Sequence, residues 1–508
     1  MPIPLQLAAP ECFRTVKDFL EDSGFTERTV CERLGLKALH EVLARSSQQP
    51  APKIQDRAGL LIGMFLLGNC VDQEVLREFL PAGVAISLGE LGLLISEDPG
   101  SYYAPASLYP MGRLYIASDR WMKPDGSSAA PRADVVYPAA TKNTRRFLGM
   151  LPSEPCERFL DLCSGSGIAA FAAASSYARQ AWAADITERS TAFAEFNRML
   201  NALDNAAVLQ GDLFEPVLGL TFDRIVAHPP YIPASSTKWI FQDAGTEGEE
   251  ITRRIVAGLP QYLAPGGKFY CLALGVDSKE EPFESRIRGW LGEHASDFDV
   301  LVVVIETHTP EQIASLPLLK GEIAHKEFTA RQAAFLKAGV ESFVYSYILL
   351  RRLESNDRIG FTARRQAGAR AGSEEFEWAL RWEAVAASPA AASLLLEAKP
   401  SPSRNVEVRV IHRLEAGALA PVEFTLQSDY PFRMESRVHP WTVALVEACD
   451  GVKTGRELHG LCLENGWIQP NVPADDFAGF LGSLISGGFL EVEGFTCPRR
   501  GNIPHNEG

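Results

Sequence analysis

The stretch Glu157-Arg158-Phe159-Leu160-Asp161-Leu162-Cys163-Ser164-Gly165-Ser166-Gly167-Ile168-Ala169-Ala170 decides the fold class of this 508-residue chain. Its first residues predict a buried strand, its glycines a tight turn, and the run from Ile168 to Ser176 a helix of small residues. Glycine accepts positive φ and lets a ligand approach the backbone, and the N-terminus of a helix supplies unpaired N–H donors. We therefore expect a polar ligand group at this turn.

Carboxylates follow the next two predicted strands. The segment 182–186 predicts a second strand that ends in Asp185, about 20 residues after the glycines, where a doubly wound fold places its ribose acceptor. The segment 208–214 predicts a third strand, with Asp212 near its end. Because parallel strands present their carboxyl ends at one edge of a sheet, these two side chains favour a nucleoside ligand.

A fourth predicted strand, Phe222–Ala227, leads directly into the sequence His228-Pro229-Pro230-Tyr231. The turn at 263–268 then leads into a fifth strand. Together, these segments place every candidate ligand group after a strand of one α/β sheet.

With these motifs the sequence resembles the class I S-adenosylmethionine-dependent methyltransferases, especially the branch of the release-factor glutamine N-methyltransferases and their small-domain relatives. The resemblance covers roughly residues 136 to 353 and rests on four ordered motifs: Asp161-x-x-x-Gly165-x-Gly167, Asp185, Gly211-Asp212-Leu213-Phe214-Glu215-Pro216, and Pro229-Pro230-Tyr231. It implies S-adenosyl-L-methionine as the cofactor and methyl transfer as the activity.

The resemblance also assigns the cofactor residues. Asp161 and the Gly165–Gly167 turn would hold the methionine part, Asp185 the ribose, and Asp212 with Leu213 the adenine. The cofactor site predicted in this way consists of Asp161, Cys163, Gly165, Ser166, Gly167, Asp185, Ile186, Asp212, Leu213 and His228.

Two positions depart from the family pattern. Cys163 stands where the family has its first turn glycine, and His228 replaces the Asn of Asn-Pro-Pro-Tyr. In the family that Asn and the carbonyl of the next proline accept the N–H groups of a planar target nitrogen. A histidine can accept one hydrogen bond, or it can act as a general base for a hydroxyl or an ammonium. A third interpretation is that His228 only packs beside the cofactor.

The resemblance places the chemistry at the same turn. His228, Pro229 and Tyr231 are the predicted catalytic residues, so methylation of nitrogen is favoured and methylation of oxygen stays open. The predicted substrate contacts are Tyr137, Pro230, Tyr231 and Trp239. The aromatic members could stack on a planar acceptor, or they could form an ordinary pocket wall.

The predicted fold class is α/β, with a Rossmann-like seven-stranded methyltransferase core flanked by two smaller α+β winged-helix-like domains. The predicted divisions are an N-terminal helical or winged-helix-like domain over 1–135, the methyltransferase domain over 136–353, a linker with a helix and a strand pair over 354–429, and a C-terminal winged-helix-like domain over 430–508. Strands six and seven are predicted over 299–305 and 342–350. The alanine, serine and charged residues of 354–399 predict a solvated linker around one helix, Glu374–Ala387.

Charge and cysteine content narrow the class of protein. The net charge of −15 argues against a general basic surface for nucleic acid. The nine cysteines show neither Cys-x-x-Cys nor metal-ligand spacing, so we expect reduced thiols, a cytoplasmic location and no bound metal. The longest apolar run, Ala58–Val71, is too short to span a bilayer, and no membrane association is expected.

Three functions follow from this sequence. The favoured one is N-methylation of a planar amide or amine on a protein, peptide or nucleobase. The second is N- or O-methylation of a small molecule in a biosynthetic pathway, with His228 as general base. The third is a cofactor-binding protein without catalysis. The sequence leaves open the acceptor, a homodimer and the ligands of the flanking domains.

Overall fold

The computed structural model describes residues 3–44, 53–120, 133–233, 248–319, 323–355, 357–368, 371–415 and 417–496. The chain divides into two compact units. The first unit consists of Met1–Gly149 with Ser153–Val276, and the second consists of Met150–Pro152 with Asp277–Gly508.

The first unit alternates helices and strands. Its helices are α1 (Pro10–Asp22), α2 (Glu27–Leu34), α3 (Arg57–Leu61), α4 (Gln73–Phe79), α5 (Ala82–Glu90), α6 (Lys142–Gly149), α7 (Ile168–Ala174), α8 (Glu188–Leu200) and α9 (Glu250–Tyr262). Shorter segments are the 3₁₀ helices Leu39–Ala44 and Glu215–Val217 and the π-helix Ile62–Leu67. Its strands are β1 (Val71–Asp72), β2 (Ile95–Asp98), β3 (Ser101–Tyr103), β4 (Ala106–Met111), β5 (Leu114–Asp119), β6 (Cys156–Leu162), β7 (Ala178–Asp185), β8 (Ala206–Gln210), β9 (Phe222–Ala227) and β10 (Leu263–Ser278).

A parallel sheet with the order β10-β9-β6-β7-β8 forms the core of this unit. Strand β6 lies between β7 and β9, so that Leu160 is paired with both Trp182 and Ile225. Its last four residues are all buried, and all of them except Asp161 are apolar, as expected for a strand covered on both faces. The α/β Rossmann-like core predicted from the sequence is therefore confirmed.

Local sequence signals set the start of the helices behind the sheet. Helix α7 begins directly after Gly167, which has positive φ, and α8 begins after Thr187, whose Oγ1 accepts the N–H of Ser190 at 3.0 Å. Thr187 is an N-cap of the preferred residue type. Both helices thus start at the carboxyl edge of the sheet and direct free N–H groups toward it.

The N-terminal residues of the first unit form helices followed by small strands. Strands β4 and β5 pair in an antiparallel hairpin whose residues are almost all buried. Strand β3 pairs with both β1 and β2. Most of these helices precede the strands β2 to β5, and the winged-helix-like class and the domain boundaries stay predictions.

The second unit has its own set of elements. Its helices are α10 (Phe283–Trp290), α11 (Pro310–Leu319), α12 (His325–Lys337), α13 (Ser373–Ala386), α14 (Ala391–Glu397), α15 (Pro440–Ala448), α16 (Gly455–Glu464) and α17 (Ala474–Ser486), with a 3₁₀ helix at Gly292–Asp297. Its strands are β11 (Phe298–His308), β12 (Val340–Arg352), β13 (Thr362–Ala367), β14 (Ser401–Pro402), β15 (Glu407–Glu415), β16 (Ala418–Ser428), β17 (Phe432–Val438) and β18 (Leu490–Glu491).

Strand β11 is central to this unit. It pairs antiparallel with β12 and parallel with β13. Strands β11 and β12 are the sixth and seventh strands expected from the sequence, and the count of seven stays a prediction. Antiparallel pairing continues from β13 through β17 and β16 to β15.

The segment after β12 differs from the solvated linker expected from its composition. Helix α13 buries Trp378 and Trp382 almost completely. Their indole N–H groups donate to the carbonyl of Phe495 at 3.0 Å and to Oγ of Ser486 at 2.7 Å. The helix was expected, but it is a core element of the second unit, because its apolar residues are concentrated where the average composition of 354–399 does not show them.

The described residues include no helix long and apolar enough to cross a membrane. They also include no group of three or more His, Cys, Asp or Glu side chains arranged to hold a metal ion.

Candidate cofactor and acceptor site

The turn between β6 and α7 has three residues with positive φ. These are Cys163 at 56°, Gly165 at 53° and Gly167 at 81°. A Cβ on Gly167 would lie 2.3 Å from the ring of Phe171, so this position requires glycine. Cys163 adopts the left-handed conformation of the glycine that it replaces, at a cost of about 1–2 kcal/mol. The turn thus places a non-glycine residue in the left-handed region.

Asp185 holds this turn in place. One carboxylate oxygen accepts the N–H of Gly165 at 2.9 Å. The other accepts the N–H of Thr187 at 3.0 Å and its hydroxyl at 3.2 Å. A carboxylate offers about four acceptor positions, so one position remains for a ligand hydroxyl. Asp185 thus lies where the sequence predicted it and has a structural function as well.

Asp161 is buried at the carboxyl end of β6, below the same turn. Its carboxyl accepts the N–H of Ala170 at 3.3 Å. Burial raises the pKa of this carboxyl to about 8, with a further contribution from the charge of Asp185. Asp161 is therefore largely protonated at pH 7, and a cation bound beside it would favour its ionised form.

Asp212 and Leu213 follow β8 at the same edge. One oxygen of Asp212 accepts from the guanidinium of Arg254 on α9 at 2.7 Å. Leu213 has a φ of 51°, a strained value of the kind found at ligand sites. The side chain of Ile186 is 54% exposed, so an apolar surface lies directly after Asp185. Sequence reasoning did not identify Arg254, which lies 42 positions from its partner.

His228 is the first residue of the turn after β9, and it is half-buried. Its ring lies 5.3 Å from that of Phe147 and 5.7 Å from that of Tyr231, measured between centroids. Burial lowers the pKa of His228 to about 4, so the imidazole is uncharged at neutral pH. Its Nε2 is shielded from solvent and has no hydrogen-bond partner among the described residues.

Helix α6 supports this turn through two side chains on one face. Phe147 contacts the ring of His228, and Nδ2 of Asn143 donates to the hydroxyl of Tyr231 at 3.0 Å. Asn143 and Phe147 are four residues apart and so lie on the same side of the helix. The sequence analysis did not assign Asn143 to the site. The sequence feature that could have indicated its role is its spacing of four residues from Phe147, in a helix just before the first core strand.

The backbone of the turn is closely packed. A Cβ on Gly248, which has a φ of 82°, would lie 2.7 Å from the carbonyl oxygen of Tyr231. Of the other predicted acceptor contacts, Pro229 is buried, Pro230 is half-buried, and Tyr137 is 40% exposed. Trp239 lies outside the described residues.

Two asparagines of α8 connect the β4–β5 hairpin to the core. Asn197 exchanges hydrogen bonds with the backbone of Ala117 at 2.7 and 3.0 Å, and Asn201 does the same with Tyr115 at 2.9 and 2.8 Å. Nδ2 of Asn197 also donates to the carbonyl of Ser166 at 3.0 Å. Neither asparagine belongs to the set of site residues predicted from the sequence.

The site contains buried polar atoms that the described residues do not satisfy. Oγ of Ser164 and Nε2 of His228 both lack a partner among the described residues. Each such atom costs about 1–3 kcal/mol unless a ligand or water satisfies it. Free polar atoms, glycine turns and carboxylates at one edge of the sheet fit a ligand with ammonium, ribose and planar amine groups.

A cavity of about 710 Å³ lies elsewhere, at the amino ends of β6, β7 and β9. Its charged lining pairs Arg179 with Glu157 at 3.0 Å and Lys268 with Glu154 at 3.9 Å. None of the predicted site residues lines it. This cavity is therefore distinct from the candidate site at the carboxyl edge.

Comparisons with known proteins identify similar methyltransferases. Residues 139–295 match the family model "Methyltransferase small domain". A ribosomal protein uL3 glutamine methyltransferase of Bradyrhizobium diazoefficiens is 32% identical over 28% of this chain and 49% of its own length. A release factor glutamine methyltransferase of Moorella thermoacetica is 33% identical over 24% of this chain and 48% of its own. The chain thus spans about half the length of these relatives.

One solved structure, a ribosomal protein L11 methylase from Lactobacillus delbrueckii subsp. bulgaricus, aligns over 39% of this chain and 71% of its own at 20% identity. The TM-score of this alignment is 0.24.

Proposed function

We propose that residues 139–295 form a class I S-adenosylmethionine-dependent methyltransferase domain of the methyltransferase small domain branch, and that this protein methylates the side-chain amide nitrogen of a glutamine in another protein. The observation that carries the proposal is the turn 228–231, where an uncharged imidazole precedes two prolines and a tyrosine held by Asn143, and where the buried Nε2 has no partner among the described residues.

The residues at the carboxyl edge fit S-adenosyl-L-methionine. Asp161 and the Gly165–Gly167 turn would hold its methionine part, and the ammonium group would lower the pKa of Asp161. Asp185 would accept from the ribose, and Asp212 from the adenine amine. When bound, this cofactor supplies an electrophilic methyl group on a sulfonium.

His228 would orient the acceptor nitrogen. A neutral imidazole with its proton on Nδ1 presents Nε2 as an acceptor, so it can receive one amide N–H. The carbonyl of Pro229 would receive the second N–H and thereby direct the nitrogen lone pair at the methyl group. Positioning of this kind is the main contribution that methyl transfer requires from the protein.

A general-base role for His228 receives less support. A base whose conjugate acid has a pKa of about 4 is poorly matched to removing a proton from a hydroxyl at pH 7. This observation favours the amide over the oxygen acceptors of the small-molecule alternative. The net charge of −15 further favours a cationic protein over nucleic acid as the acceptor. A cytoplasmic location stays part of the proposal.

Cofactor binding tests the assignment of the site. Asp185→Ala should weaken binding of S-adenosylmethionine about 10- to 100-fold in titration calorimetry, because a hydrogen bond to a charged group contributes about 1.5–3 kcal/mol. Asp223→Ala is the matched control. Asp223 also accepts backbone N–H groups, from Glu157 at 3.0 Å and Arg158 at 2.8 Å, but at the opposite ends of the strands. Equal affinity of wild type and Asp185→Ala would reject the proposed site.

A further inference from the structure

Strand β15 is a long edge strand with no partner on its outer side among the described residues. It pairs with β16 over its whole length of nine residues, and every one of the nine is exposed. Half of the backbone N–H and C=O groups of such a strand point away from its one neighbour. An exposed edge of this length is a template on which another chain can add a strand.

One face of this edge is apolar. Val408, Val410 and Leu414 share it because side chains alternate along a strand, and they are 43%, 38% and 69% exposed. Leu419 of β16 lies opposite Leu414 and is also 69% exposed. The stripe continues the core of the second unit, since Val408 is paired with the fully buried Leu426. Exposed apolar stripes of this kind mark protein contact sites.

We propose that β15 pairs antiparallel with β15 of a second copy of this chain. A two-fold axis at His412 places Arg409 of each copy opposite Glu415 of the other, and Val410 opposite Leu414. The first of these pairs is of opposite charge and the second is apolar, the combinations that stabilise neighbouring strands, while Ile411 faces Arg413 and His412 faces its own copy, so no like charges are opposed. The axis runs perpendicular to the sheet, so the two apolar stripes come together on one side of it.

Other symmetric registers fit less well. An axis at Ile411 places Glu407 opposite Glu415 and Arg409 opposite Arg413, which opposes like charges. An axis at Val410 pairs Glu407 with Arg413 but puts Val408 against His412. The sequence of β15 therefore complements itself best in the register centred on His412.

Charge also favours a second copy at this strand. Each chain carries a net charge of −15, so two copies repel each other across most of their surfaces. Strand β15 contains two arginines and two glutamates, and its formal charge is zero. It thus offers a contact with little repulsion.

Light scattering after size-exclusion chromatography tests the contact. The wild-type protein should have twice the mass of one chain, and Leu414→Lys should raise the dissociation constant of the dimer about tenfold or more. Leu336→Lys is the matched control, because Leu336 is 81% exposed on α12 and lies outside the strand. If Leu414→Lys melts at the same temperature as the wild type, its smaller mass in solution results from dissociation of the dimer and not from unfolding.

Cysteine cross-linking tests the register. In the proposed dimer two residues at position 412 lie directly opposite each other, within reach of a disulfide. His412→Cys should therefore give a 412–412 linked peptide in mass spectrometry after mild oxidation. Val410→Cys and Ile411→Cys should give much less of the corresponding 410–410 and 411–411 linked peptides. A wild-type monomer, a dimer that Leu414→Lys leaves intact, or preferential linking at 410 or 411 would overturn the proposal.

Discussion

At the scale of single residues, the uncharged imidazole of His228 determines which acceptor this site can use. Its pKa is about 4 because the ring is buried, and its protonated form exists only at acidic pH. Protonation would turn Nε2 from an acceptor into a donor. The rate of methyl transfer therefore depends on pH in different ways if His228 orients the acceptor or if it removes a proton.

His228→Asn should retain activity within about tenfold of wild type, because an Asn oxygen restores an acceptor for one N–H. The wild-type turnover rate should be flat from pH 5.5 to 8 and should fall only as the pH approaches 4. Methyl-transfer assays with isotopically labelled cofactor measure both. His308→Asn is the control, since His308 lies in the second unit near Glu306 at 3.6 Å. A loss of about a thousandfold in His228→Asn, with a rate that rises through pH 6.5, would instead indicate a general base.

At the scale of elements, α8 couples the N-terminal hairpin to the proposed cofactor turn. Asn197 and Asn201 each bind the backbone of β5, but only Asn197 also reaches the carbonyl of Ser166. A comparison of the two positions therefore separates support of the hairpin from support of the turn.

Asn197→Asp should weaken binding of S-adenosylmethionine about tenfold, because the carboxylate cannot donate to the carbonyl of Ser166. Asn201→Asp also loses two donated hydrogen bonds, to the carbonyls of Tyr115 and Asn197, and should bind the cofactor as the wild type does. Titration calorimetry measures the affinities, and urea unfolding measures the accompanying loss of stability. Equal weakening in both variants would show that the effect comes from the hairpin alone.

The elements also show what the sequence could predict. The strands and their terminal carboxylates are local patterns, and Asp185 was placed by its distance from the glycines alone. Asn143, Arg254 and Asn197 act on partners 88, 42 and 80 residues away, so no local pattern contains their roles. The burial of Trp378 and Trp382 was missed for a different reason, because composition averaged over a long segment conceals one amphipathic helix.

At the scale of the whole molecule, the second unit depends on one buried charge cluster. Asp299 of β11 is fully buried and accepts from Arg351 at 2.6 Å, from Arg358 at 2.6 Å and from the N–H of Phe361 at 3.1 Å. Two guanidinium groups thus share one carboxylate. Removing the charge of Asp299 would leave both cations without their anion.

Asp299→Asn should lower the free energy of unfolding by about 3–5 kcal/mol, the usual cost of breaking a buried ion pair. Glu397→Gln is the control, because its pair with Arg456 is exposed and should contribute less than about 1 kcal/mol. Urea unfolding gives the difference, and hydrogen exchange should show faster exchange in peptides from β11 and β12. A loss no greater than that of Glu397→Gln would contradict the assigned importance of this cluster.

The most direct test of the proposed function is transfer of a labelled methyl group. The protein is incubated with a lysate of its source organism and S-adenosylmethionine labelled in the methyl group, and the products are analysed by peptide mass spectrometry. We predict label on the side-chain nitrogen of a glutamine with the wild-type protein, and much less with Asp185→Ala when the cofactor concentration is close to the dissociation constant of the wild type. Label on nucleic acid or on an oxygen atom, or no label above the Asp185→Ala background, would contradict the proposal.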